Sequence, residues 1–134
     1  MSTTYEYNVK TNSQIELVNI DRYLNEALNK SGISEGICTV FVPHTTAAVT
    51  INENADPDVT RDIIMELGKV IPLNDGYRHM EGNSAAHIKS SLIGASETVI
   101  VENGRLKLGT WQSVFFCEFD GPRTRRIWIK LQEG

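Results

Sequence analysis

Hydrophobic and polar positions alternate over residues 4–11 (TYEYNVKT), the pattern of a half-buried strand. Residues 14–20 read as a second strand that would pair with the first across the Thr11-Asn12-Ser13 turn. The period then changes. Ile20, Tyr23, Leu24, Ala27 and Leu28 recur every three or four positions, which predicts a helix over residues 21–30, stopped by Ser31-Gly32. Residues 36–42 (GICTVFV) suit a central strand, and Pro43, lacking an amide hydrogen, ends its regular pairing. A further strand follows at residues 47–53. Asp56 is a good N-cap and Pro57 suits the first helical position, so a helix opens there, with Val59, Ile63, Leu67 and Val70 as its expected buried stripe. After a polar loop at 72–82, Asn83 or Ser84 caps a shorter helix to about Leu92, closed by Gly94. Asn103-Gly104 is a strong hairpin signal between strands at 98–102 and 105–108. Asp120-Gly121-Pro122-Arg123 is a second turn, between strands at 114–119 and 125–131. Without strict strand–helix–strand alternation, the expectation is a compact α+β domain spanning 1–134, with mainly antiparallel or mixed sheets and two to three helices.

Composition narrows the function. The chain has 134 residues, 40% hydrophobic and 22% charged, which is ordinary for a globular domain and excludes disordered classes. Its 13 Lys+Arg against 17 Asp+Glu leave a net charge of −4, which argues against a general nucleic-acid binder. The first ten residues lack the apolar core of a signal peptide, and no apolar run approaches the ~20 residues needed to cross a bilayer. Cys38 and Cys117 are far apart in apolar runs and form no CxxC pair, so both are expected as reduced core thiols of a cytoplasmic protein.

Three constellations carry chemistry. His44 follows Pro43 at a strand end, and by strand parity it shares a face with Thr46, Thr50 and Asn52, with Glu53 and Asn54 close by. Hydroxyls and amides beside an imidazole suit a ligand-lining wall. The run from His79 to His87 leads through a glycine turn into a capped helix with small residues in its first turn. That combines free amides for an anion with two histidines and Glu81 as ligands or acid–base groups. In DGPRTRR, alternation puts Arg125 on the apolar side with Ile127, Ile129 and Leu131. An arginine there needs a carboxylate, phosphate or partner subunit, and Glu118 or Asp120 across the hairpin is available. The spacing of the histidines matches no local zinc motif, so His44, His79 and His87 would hold a metal only if folding gathers them.

Four runs together, PHTTAAVTINENADPDV (43–59), HMEGNSAAHIKSSLIG (79–94), GRLKLGTWQ (104–112) and DGPRTRR (120–126), resemble the YjbQ-like proteins, some of which are described as secondary thiamine-phosphate synthases. The resemblance implies a YjbQ-like α+β homotrimer with a pocket built from His44, Thr45, Thr46, Asn52 and Glu53; from His79, Glu81, Asn83, Ser84 and His87; from Arg105; and from Asp120, Arg123 and Arg125. It further implies the joining of a hydroxymethylpyrimidine pyrophosphate to a thiazole phosphate, with pyrophosphate leaving. His44, Glu53, His79 and His87 are then the catalytic candidates, and the others bind substrate. Two alternatives use the same residues. One is a hydrolase in which the three histidines hold a divalent ion, Zn or Mg. The other is a non-catalytic trimeric module that captures a phosphorylated metabolite.

Overall fold

The computed structural model describes residues 2–134; Met1, the first residue of the polar N-terminal stretch, lies outside them. In chain order the elements are β1 (Ser2–Lys10), β2 (Glu16–Asn19), α1 (Asp21–Ser31), β3 (Gly36–Phe41), β4 (Ala47–Glu53), α2 (Pro57–Val70), α3 (Ser84–Ile93), β5 (Ser96–Glu102), β6 (Arg105–Leu106), β7 (Gln112–Glu118) and β8 (Thr124–Glu133). They form two sheets, ordered β1-β8-β3-β5-β6 and β2-β7-β4, and every strand pair is antiparallel. The fold is therefore α+β, as the mixed pattern predicted.

The main core fills the space between the sheets and α1. Val9, Val40, Ile127, Ile129 and Leu131 come from the larger sheet, Val49, Val114 and Phe116 from the smaller, and Leu24, Ala27 and Leu28 from the helix. The strict alternation of β8, buried at every second residue, turns Arg125 toward this core along with its apolar neighbours. The α1 stripe is the one its spacing predicted, and Gly32, at φ 70°, closes the helix by donating its N–H to the Leu28 carbonyl. The Asn103-Gly104 turn has positive φ at both residues, 53° and 71°, as a two-residue hairpin requires.

Two expectations about elements are corrected. The second strand does not pair with the first; β2 pairs with β7, with Val18 opposite Phe116. The physical reason is Glu16, whose carboxylate accepts the Asn12 and Ser13 N–H groups and makes the segment a corner into the other sheet rather than a hairpin. The stripe of α2 is not buried either: Val59, Ile63 and Leu67 are half-buried, Val70 is 66% exposed, and none of the helix's residues is fully buried. Asp56 does cap it, accepting the Asp58 N–H at 2.9 Å. The helix forms from its cap and amphipathic pattern, but the described residues offer no second layer to cover it.

A smaller cluster positions the site. Ala48, Cys117 and Phe119 on the outer face of the second sheet meet Ala86 of α3, and the small alanines let the helix lie close on β4. The Val49 N–H donates to the Gly94 carbonyl and the Val42 N–H to that of Ala95, so the end of α3 is fixed against both strands that flank His44.

Candidate functional site

Helix α3 sets His87 one turn from its N-terminus, and the loop before it returns His79 to the same place. Their ring centroids are 5.4 Å apart and nearly perpendicular, at 85°. On one side of His87 a hollow of about 350 Å³ is lined also by Tyr77, Arg78, His79 and Ser84. On the other side a cavity of about 440 Å³ is lined by His44, Thr45, His87, Ser90 and Ser91. His87 is the shared wall. The three histidines thus lie along one side of the molecule, although among the described residues no group of three or more His, Cys, Asp or Glu side chains is placed to hold a metal ion.

His44 is held by the backbone. Strand β3 ends at Phe41, opposite Trp128 of β8, so the Arg126 amide beyond it has no strand partner on that edge. The imidazole takes its place: the Arg126 N–H donates to His44 Nε2 at 2.9 Å. Burial, with the positive charges of Arg125 and Arg126, pushes the His44 pKa below the usual histidine value.

Arg125 is engaged inside the protein. Its Nε donates to Glu118 Oε1 at 2.9 Å, while one terminal nitrogen bonds Glu118 Oε2 and reaches Thr46 Oγ1 at 3.0 Å and the Thr46 carbonyl at 3.3 Å. Glu118 also accepts from Thr11 Oγ1 at 2.8 Å and from the Asp120 N–H at 3.0 Å. Burial alone would raise the Glu118 pKa, but Arg125, the Asp120 amide and the Thr11 hydroxyl outweigh it and hold the carboxyl below its ordinary range. Of the partners open to Arg125 in the sequence, the carboxylate across the hairpin is the one it has. Thr46 is drawn into the same network, which leaves Thr45 as the threonine that lines the cavity.

Asn83 occupies the N-cap position of α3 but does not cap it. Its Nδ2 donates instead to Asp120 Oδ2 at 3.0 Å, and Arg123 bonds the same carboxylate oxygen at 3.2 Å. The amide end of α3 is therefore free of any capping side chain, with Ser84 at its edge. Glu81 is exposed on the preceding loop.

Three further expected residues are not brought to this cleft. Asn52 and Glu53 lie at the opposite end of β4 from His44, paired with Ser113 and Gln112; at ~3.3 Å per residue that is about 20 Å from Ala47. Arg105 stands on β6, the outermost strand of the larger sheet, in a separate hollow with Glu102 and Lys107. Other residues went unforeseen. Ser90 and Ser91 lie three and four positions past His87, the spacing that shares a helix face, and that signal was available. Lys89 had no such sign. It is 2% exposed, with its Nζ 5.8 Å from the Phe119 ring centroid, and burial lowers its pKa. Cys38 and Cys117 are buried free thiols, both pushed up to about 12 by burial, which makes them the inert core residues expected.

Fold and cleft together define a small α+β protein with a histidine-lined pocket on the face where α3 meets β4. The chain belongs to the family described as UPF0047 protein YjbQ-like, which it matches over residues 5–134. It is 53% identical over 127 residues to a UPF0047 protein of Methanocaldococcus jannaschii, covering 95% of this chain and 92% of that one. It is 54% identical over 124 residues to UPF0047 protein YugU of Bacillus subtilis, covering 92% and 94%. Among solved structures, a YjbQ/UPF0047 family protein of Clostridium acetobutylicum superposes with a TM-score of 0.94 at 54% identity, covering 96% of this chain and 99% of the other. A YbjQ-like protein of Sulfolobus solfataricus gives 0.95 at 33% identity, covering 100% and 99%. Among the described residues no helix is long and apolar enough to cross a membrane.

Proposed function

We propose that the protein is a cytoplasmic transferase acting on phosphorylated small molecules, of the thiamine-phosphate synthase type. In that reaction a thiazole ring nitrogen attacks the methylene of a hydroxymethylpyrimidine pyrophosphate, the carbon–oxygen bond breaks, and pyrophosphate leaves. The observation that carries the reading is the edge-to-face pair of His79 and His87 at the uncapped amide end of α3, with Arg78 on the same hollow. The leaving group gains negative charge as the bond breaks. Backbone amides, an arginine and an imidazole N–H are groups that can stabilise it. His79 and His87 alone would give a divalent ion two ligands, too few for Zn and nitrogen where Mg takes oxygen, so the charge stabilisation is assigned to the protein groups.

A homotrimer belongs to the same proposal. Ile37 and Ile100 face each other on adjacent strands, Phe41 stacks on Trp128 at 5.8 Å, and the poorly covered α2 adds Met65 and Val70; all six are exposed in one subunit. Exposed apolar patches of this kind support self-association.

The test is a purified-protein assay with both substrates, reading pyrophosphate release and thiamine phosphate. His87→Ala should lower turnover by about 100-fold or more while the melting temperature stays within a few degrees. Undiminished turnover in that variant would remove the assignment. Pyrophosphate binding without turnover in the parent protein would leave only the capture-module reading.

A further inference from the structure

The cavity between the β3–β4 turn and α3 contains two polar groups whose hydrogen-bonding state is fixed by their surroundings. The first is His44. Its Nε2 accepts the Arg126 N–H, so that nitrogen carries the lone pair and the proton resides on Nδ1. A protonated imidazole would have to give up this bond and stand beside Arg125 and Arg126, with Glu118, itself paired to Arg125, as the one opposing charge. The second group is Ser90. It is 8% exposed and lines the same cavity, yet its Oγ is buried with no hydrogen-bond partner. A buried hydroxyl without a partner carries a cost that a ligand oxygen would remove.

We propose that His44 is an Nδ1–H donor which, with the Ser90 hydroxyl, binds an oxygen of the substrate's phosphoryl group in this cavity. The inference rests on the reading of the histidine cleft as a phosphate-handling site, and it divides the three histidines by task. His79 and His87 keep free nitrogens for proton chemistry. In His44 the Nε2 lone pair is taken and Nδ1 is protonated, so it is neither a general base nor a metal ligand while the Arg126 bond stands. A neutral donor is useful here because it polarises an oxygen without surrendering its proton.

The test uses uniformly ¹⁵N-labelled full-length protein and inorganic pyrophosphate as the probe. Long-range proton–nitrogen correlation spectra should show Nδ1 protonated and Nε2 bare for His44 without ligand, unchanged at pH 7. Added pyrophosphate should shift the Nδ1 proton. Two variants separate the nitrogens. His44→Gln keeps an acceptor near Nε2 and loses the donor near Nδ1, so it should keep its melting temperature but bind pyrophosphate about tenfold more weakly. His44→Asn keeps the donor and loses the bond to Arg126, so affinity should hold within about threefold while the protein melts earlier. An Nε2–H tautomer, a charged imidazole at neutral pH, or parental affinity in His44→Gln each overturns the proposal. If the parent protein does not bind pyrophosphate at all, the reading of the cleft fails and the donor role with it, whereas the tautomer measured without ligand remains a separate result.

Discussion

Replacing Arg125 with Met tests the most heavily bonded pair in the protein. The arginine is 2% exposed and Glu118 is fully buried. Methionine fills much of the volume but removes both hydrogen bonds from the guanidinium to the carboxylate, leaving Glu118 with only the Thr11 hydroxyl and the Asp120 amide. Breaking a buried pair from one side costs about 3–5 kcal/mol, because the surviving charge stays desolvated. For a domain of this size each kcal/mol moves the melting temperature by about 3–5 °C, so Arg125→Met should melt about 9–25 °C lower. Urea unfolding followed by circular dichroism, at one fixed protein concentration, gives the free energy directly. The double variant Arg125→Met with Glu118→Gln should recover part of the loss, since no buried charge remains.

The pH dependence should reverse as well. In the parent protein the folded pKa of Glu118 lies below its ordinary value of 4.5, so the stability it contributes is complete above that value and is lost as pH falls through the folded one. Without Arg125, burial raises the folded value, and stability is instead lost as pH rises above about 4.5. A cost under about 1 kcal/mol, or single losses that simply add in the double variant, would refute the view that this pair joins the β7–β8 hairpin to the core.

Other substitutions test separate features. Gly36→Ala would place a Cβ 2.0 Å from the Gln132 carbonyl oxygen, and should cost about 2–3 kcal/mol in urea unfolding as β3 and β8 are pushed apart. Lys89→Met removes a buried cation that no carboxylate faces among the described residues, and should raise stability by about 1 kcal/mol, read as a higher melting temperature. Asp56→Ala removes the side-chain cap of α2 and should cost about 1 kcal/mol, measurable in the same denaturation series.

Local signals in the sequence survived folding, the Asn83 cap excepted because its amide bonds Asp120, and long-range ones did not. The α1 stripe, the Asp56 cap and the Asn-Gly turn each depend on residues within a few positions of one another, and all three appear as expected. The pairing of β2 failed because alternation specifies a strand but not its neighbour, and the choice was made by Glu16 turning the chain. The α2 stripe failed for a different reason: periodicity shows which face is apolar without saying whether the same chain covers it. At the site, His79 and His87 were legible as a pair because only seven residues, a glycine turn among them, separate them. The meeting of His44 with His87 needed α3 to pack on β4, which alanines at 48 and 86 allow and no motif announces. Parity grouped Asn52 with His44 but carried no distance along the strand, and the bend at 45–46 breaks the alternation between them.

The seating of α2 also governs how the cleft can breathe. That helix buries none of its residues fully, with Leu67 packed on the smaller cluster, while α3 buries Ala85, Ala86, Lys89 and Ser90. The loop carrying His79 hangs between the two, so amide exchange should find one imidazole on a wall that opens readily and the other on a wall that stays shut until the whole domain unfolds. In the proposed reaction, a ligand would pass on the His79 side, with His87 as the stationary post.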